Sequence, residues 1–115
     1  MAITVTNKTY GVITTESADW GTATTLVTVG ATENLHIKTI KVVDTGGDGG
    51  EVRIIANNGT TDYYLDAFTV IGGDSLDCSP LVPYAIESSW VLKVQAKGGS
   101  GIHITVTGVL QGVVA

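Results

Sequence analysis

The stretch Leu35-His36-Ile37-Lys38-Thr39-Ile40-Lys41-Val42-Val43 decides the fold class. Leu35 and Ile37 alternate with His36 and Lys38, and Ile40 and Val42 sit either side of Lys41. Successive side chains of a strand point to opposite faces, so this is the pattern of a half-buried strand. After Lys38 the apolar phase slips by one. One extra residue in a strand does this, which predicts a bulge or strand crossing near Thr39.

The same period extends outward in both directions. Ile3 and Val5 alternate with Thr4 and Thr6, and Leu26 to Val29 is an apolar run flanked by threonine; both read as half-buried strands. Val52, Ile54 and Ala56 lead into Asn57-Asn58-Gly59, and Asn-Gly between alternating runs is a strong hairpin signal, with Thr61 to Phe68 as the returning strand. Asp74 to Cys78 reads as a short strand. Pro80 and Pro83 then mark a connection that crosses a sheet edge, because proline cannot donate to a ladder. Trp90, Leu92, Val94 and Ala96 alternate up to Gly98-Gly99-Ser100-Gly101, followed by Ile102, Ile104 and Val106, which reads as the clearest hairpin of all. Trp90 shares a phase with Leu92 and Val94 and is expected in the core.

No stretch carries a sustained helical period. The expectation is all-β, one domain over residues 1–115: a single antiparallel β-sandwich of about eight strands, jelly-roll-like, with an immunoglobulin-like topology as the alternative. Composition agrees. Val, Ile and Thr pack well on a pleated surface, and 15 glycines supply turn conformations.

Six basic against 11 acidic residues give a net charge of −5, with no basic stripe to neutralise phosphates, which argues against a nucleic-acid partner. Charged residues are 15% of the chain, fewer than the roughly 25–35% of a well-solvated surface. Either part of the surface is covered by neighbours, or its threonines and serines solvate it without charge. No apolar run approaches the ~20 residues of a membrane helix, and Met1 to Tyr10 does not read as a leader, so the expectation is a soluble chain made in a cytoplasm. The sequons at Asn7 and Asn58 are then chance matches. Cys78, the single cysteine, cannot form an internal disulfide and reads as an inert core thiol.

Several groups of residues invite a chemical reading. Val42-Val43-Asp44-Thr45-Gly46 resembles the active-site loop of aspartic proteases, in which two carboxylates of a homodimer share a proton. A retropepsin-like chain also needs a second apolar pair before glycine leading into a helix. Val70-Ile71-Gly72 is followed instead by strand-like alternation, so the Asp44 loop reads as a glycine-rich connection. Asp44, Asp48 and Glu51 could offer oxygens to calcium but lack the spacing of a calcium loop, and a solvated acidic loop is the better reading. His36 and His103 lie on polar strand phases without a metal-ligand partner at suitable spacing, as surface or interface residues. Trp20, Tyr63, Tyr64 and Trp90 could stack on sugars if gathered on one face, but neighbours Tyr63 and Tyr64 must point to opposite faces. The residues therefore point to no enzyme, no catalytic, cofactor-binding or metal-binding site, and no cofactor.

The order of segments resembles a group of small tailed-bacteriophage virion proteins, the capsid decoration (cement) or tail and neck accessory type. The likeness runs from about Thr22 to Gln111. It rests on Thr24-Thr25-Leu26-Val27-Thr28-Val29, the long Leu35 to Val43 stretch, a glycine-rich loop before Val52-Arg53-Ile54-Ile55, Tyr63-Tyr64-Leu65, Gly73-Asp74-Ser75-Leu76, Trp90 to Ala96 and Ile102 to Val109. The resemblance implies a virion structural protein on the capsid surface. It would be a homo-oligomer, often a homotrimer, that binds across major capsid protein joints, with no catalytic residues to transfer; charge and hydropathy, as above, speak against a nucleic-acid or membrane partner. The tail Val109-Leu110-Gln111-Gly112-Val113-Val114-Ala115 carries no charge, which predicts that it is ordered as a last strand or against a partner.

Overall fold

The computed structural model describes residues 2–14, 20, 23–73, 75–80, 84–98 and 101–114. These form nine strands and no helix: β1 (Ala2–Thr14), β2 (Thr24–Thr28), β3 (Glu33–Asp44), β4 (Gly50–Asn57), β5 (Asp62–Val70), β6 (Ser75–Asp77), β7 (Tyr84–Ile86), β8 (Val91–Lys97) and β9 (Ile102–Val114). One sheet has the order β1-β9-β3-β6, with β7 also on β3, and the other the order β2-β8-β4-β5. All pairings are antiparallel. From β1 to β4 the chain changes sheet at every step, and only β4 and β5 are successive partners. This is the jelly-roll order and not the immunoglobulin one.

The core lies between the sheets. Leu35, Ile37, Ile40 and Val42 of β3 and Ile102, Ile104 and Val106 of β9 meet Val52, Ile54 and Ala56 of β4 and Leu92 and Val94 of β8, all essentially inaccessible to water. Each full-size aliphatic side chain buried in this way contributes about 1.5–3 kcal/mol. The phase slip read near Thr39 is a bulge. Ile37 pairs with Gly108 and Thr39 with Thr107, so Lys38 is the extra residue and the apolar residues on both sides of it face inward. Gly108 makes the bulge sterically feasible, since a Cβ there would stand 2.5 Å from the His36 carbonyl oxygen.

Three expectations need correction. Gly98 to Gly101 does not close a hairpin: β8 pairs with β2 and β4, whereas β9 pairs with β1 and β3 in the other sheet. Two alternating runs joined by glycines satisfy either geometry; here β8 is flanked on both sides by β2 and β4, and β9 by β1 and β3, which leaves no side for each other. The segment after Pro80 is not connection alone: it contains a short strand, β7, whose Tyr84 to Ile86 pair with Ile37 to Leu35, and the nine strands agree with the about eight expected. Pro83 and Asp74 lie outside the described residues.

The third correction concerns β1. Its ladder with β9 is regular from Ala2↔Val114 to Thr14↔Ile102, so its side chains alternate strictly. Tyr10 and Val12 pack against the core. Ile3 and Val5, of opposite parity, therefore project from the outer face, and each is 66% exposed. Thr4, Thr6 and Lys8 share the inward parity of Tyr10 and are exposed as well, so the first half of β1 is open on both faces. The expected half-buried strand is an overhang. The C-terminal tail is ordered as expected, because Val109 to Val114 complete β9 between β1 and β3; Ala115 lies outside the described residues.

Candidate functional site

Asp44 ends β3 at one end of the sandwich, 3% exposed, and its carboxylate is fully engaged by backbone. Oδ1 accepts the N–H groups of Gly46 at 3.1 Å and Gly47 at 3.3 Å; Oδ2 accepts those of Gly49 at 2.7 Å and Gly73 at 3.1 Å. The Gly49 N–H, joined by that of Gly73 and then those of Gly46 and Gly47, holds the carboxyl below its ordinary range against the opposing effect of burial. Thr45 donates from both its backbone N–H and its hydroxyl to the Gly101 carbonyl, at 2.9 and 2.8 Å. Asp44-Thr45 thus fastens three loops, those after β3, after β5 and before β9. Two of the glycines are required by contact: a Cβ on Gly72 would fall on the Gly47 carbonyl, and one on Gly101 would stand 2.7 Å from Thr45 Oγ1. With both Asp44 oxygens turned to the loop's own N–H groups, the motif acts as a clasp. Asp48 and Glu51 are exposed, and no group of three His, Cys, Asp or Glu among the described residues could hold a metal ion.

The four aromatic residues separate into two pairs. Tyr63 stacks on Trp90, ring centroids 5.5 Å apart and planes inclined by 23°. Trp90 is half-buried at the rim of the core instead of inside it. The guanidinium of Arg53 lies 3.7 Å from the Trp20 ring centroid and 5.1 Å from that of Tyr64, on the outer face of β4. Trp20, Glu51, Arg53, Phe68 and Thr69 line a shallow cavity of about 260 Å³ there. A bulge at Leu65 separates Asp66, opposite Ile54, from Tyr64, opposite Ile55. Tyr63 and Tyr64 serve different surfaces, as their adjacency requires.

His103 stands between Ile13 and Val43, and His36 between Val109 and Ala85, both on the outer face of the β1-β9-β3 sheet and six positions apart along β9. That is about 20 Å at the rise of an extended strand, too far for a shared ligand. Cys78 is buried, and burial, aided by the charges of Asp66 and Asp77, pushes its thiol up to about 11. Tyr84 on β7 donates to Asp66 on β5 at 2.9 Å, a hydrogen bond that joins the two sheets at one flank.

No protein-family model matches the chain, and no curated protein does. Solved structures do match. A chain from Bacillus endospore appendages, a family of disulfide-linked pili, superposes with TM-score 0.57 at 15% identity, covering 100% of this chain and 93% of that one. At that identity the likeness is one of fold. The Drosophila NLP core, from a study of pentamer formation and histone binding, gives TM-score 0.45 at 19% identity over 89% of this chain and 96% of that one. A chain of infectious bursal disease virus Gx strain gives 0.42 at 14% identity, over 96% and 31%.

The largest feature that strand-by-strand reading missed is the outer strip beside the β1 edge. Ile3 lies opposite Val113, itself 41% exposed, and Val5 lies opposite Gln111, with Val109 two residues further along β9. A signal for it exists in the chain: Ile3 and Val5 are out of phase with Tyr10 and Val12, and without a bulge one pair must face outward.

Proposed function

We propose that the protein is a structural virion subunit, a capsid decoration protein that binds across joints between major capsid proteins on the particle surface and has no enzymatic activity. The observation that carries this reading is the exposed apolar strip of Ile3, Val5 and Val113 on the outer face of a long-stranded sheet. Clamping a shell needs surface to bury across a joint, not a cleft. The charge-poor surface supports the same reading, as does a fold shared with a protein that assembles into pili. The subunit acts as a homo-oligomer; the trimer implied by the resemblance is one closed form and a two-fold pair another. A tail or neck position would use the same surfaces. Particle fractionation tests the proposal: the protein co-sediments with assembled particles at stoichiometric level, and its absence from them ends the cement reading.

A glycan-binding module is the second reading, favoured by the Trp20–Arg53–Tyr64 cluster beside its cavity. It predicts few copies per particle and glycan binding that is lost in Tyr64→Ala. Retention of binding in that variant removes it.

A further inference from the structure

We propose that the free edge of β1 binds β1 of a second copy of this chain, antiparallel about a two-fold axis, so that one sheet runs through both copies. β1 stands at the end of its sheet and, among the described residues, pairs with β9 alone. Its ladder is regular over 13 residues, so along the opposite side a full row of N–H and C=O groups points away from β9. Such a row is a template for another strand, and soluble proteins normally blunt it with lysine, proline, bulges or brevity. β1 has Lys8 and none of the others.

The other described edges are blunted. β2 has five residues and a register shift, β5 has nine and a shift at Leu65, and β6 and β7 have three each. This contrast selects the occupant. A ring built by strand addition needs each copy to offer two different, matching edges. Among the described strands the edge that matches β1 in length and regularity is β1 itself, which makes the contact isologous and closes it at two copies. Charge is compatible with this: the chain carries −5, yet residues 2–14 contain no Asp or Glu, so two copies meet there without opposing carboxylates.

An axis at Thr6 gives a ladder from Ala2 to Tyr10, with Ile3 opposite Thr9, Val5 opposite Asn7 and Thr4 opposite Lys8. It keeps the two Lys8 side chains apart and joins the Ile3 and Val5 strips of both copies on one continuous face. The pairing goes beyond the cement reading, since it is a property of the free protein.

Sedimentation of the purified full chain tests it without particles. The wild type is expected at twice the monomer mass over a concentration series. Thr4→Lys/Thr6→Lys changes two exposed side chains and sets like charges opposite each other across the axis, so it is expected at monomer mass. Thr4→Glu/Thr6→Glu/Lys8→Glu is likewise expected as a monomer, and an equimolar mixture of the two variants regains the dimer mass, which misfolded variants would not do. A wild type that stays monomeric at every concentration, a trimer, a Lys variant that stays dimeric, or a mixture that does not pair overturns the proposal.

Discussion

Asp44 Oδ2 accepts the Gly73 N–H at 3.1 Å across 29 positions of sequence, joining the loop after β3 to the loop after β5. The residue that most resembles a catalytic group has its carboxylate held by four backbone N–H groups, and its stability contribution is expected to depend on pH. Its carboxyl is held low in the folded chain. That contribution is therefore fully present above the unfolded carboxyl value of about 3.9 and is lost as pH falls through the folded value. Asp77, lowered by the Ser79 hydroxyl, adds a loss in the same direction and window. Thermal unfolding of the wild type should fall steeply on the acid side, and Asp44→Asn should melt lower at neutral pH with a shallower acid decline. Identical pH profiles for the two proteins would show that the clasp contributes nothing.

Gly108 faces the bulge at Lys38, where a Cβ would collide with the His36 carbonyl. Neither strand can retreat, because β9 is held between β1 and β3. Gly108→Ala is expected to destabilise the fold by about 1–3 kcal/mol, the usual range for overpacking. The urea midpoint reads this directly, and an unchanged midpoint would mean that the bulge relaxes freely.

Ser89 holds φ at 68° in the turn between β7 and β8, where its N–H donates to the Val29 carbonyl at 3.0 Å. A left-handed residue with a Cβ costs about 1–2 kcal/mol. Glycine removes that cost but adds chain entropy worth about 0.5–1 kcal/mol. Ser89→Gly should therefore raise the urea midpoint slightly; a lower midpoint would show that the serine side chain contributes more than its backbone conformation costs.

Cys78 should be inert in the native state. With its thiol raised from 9.0 to about 11, it carries roughly 100-fold less thiolate at neutral pH than an unperturbed cysteine. Reaction with a thiol reagent should be slow in buffer and immediate in denaturant. Rapid labelling of the folded protein would contradict its burial.

The period of the sequence by itself determined the all-β class, the slip at Lys38 and the Asn57–Gly59 hairpin. Each of these depends on side-chain alternation or turn chemistry within a few residues. Tertiary structure alone decided that β8 and β9 belong to different sheets and that Asp44 meets the N–H of Gly73. It also decided that Ile3 and Val5 face water while Tyr10 and Val12 of the same strand face the core. The reason is physical: alternation says that two faces differ, but the identity of the inward face, and of the strand alongside, is set by partners distant in the chain.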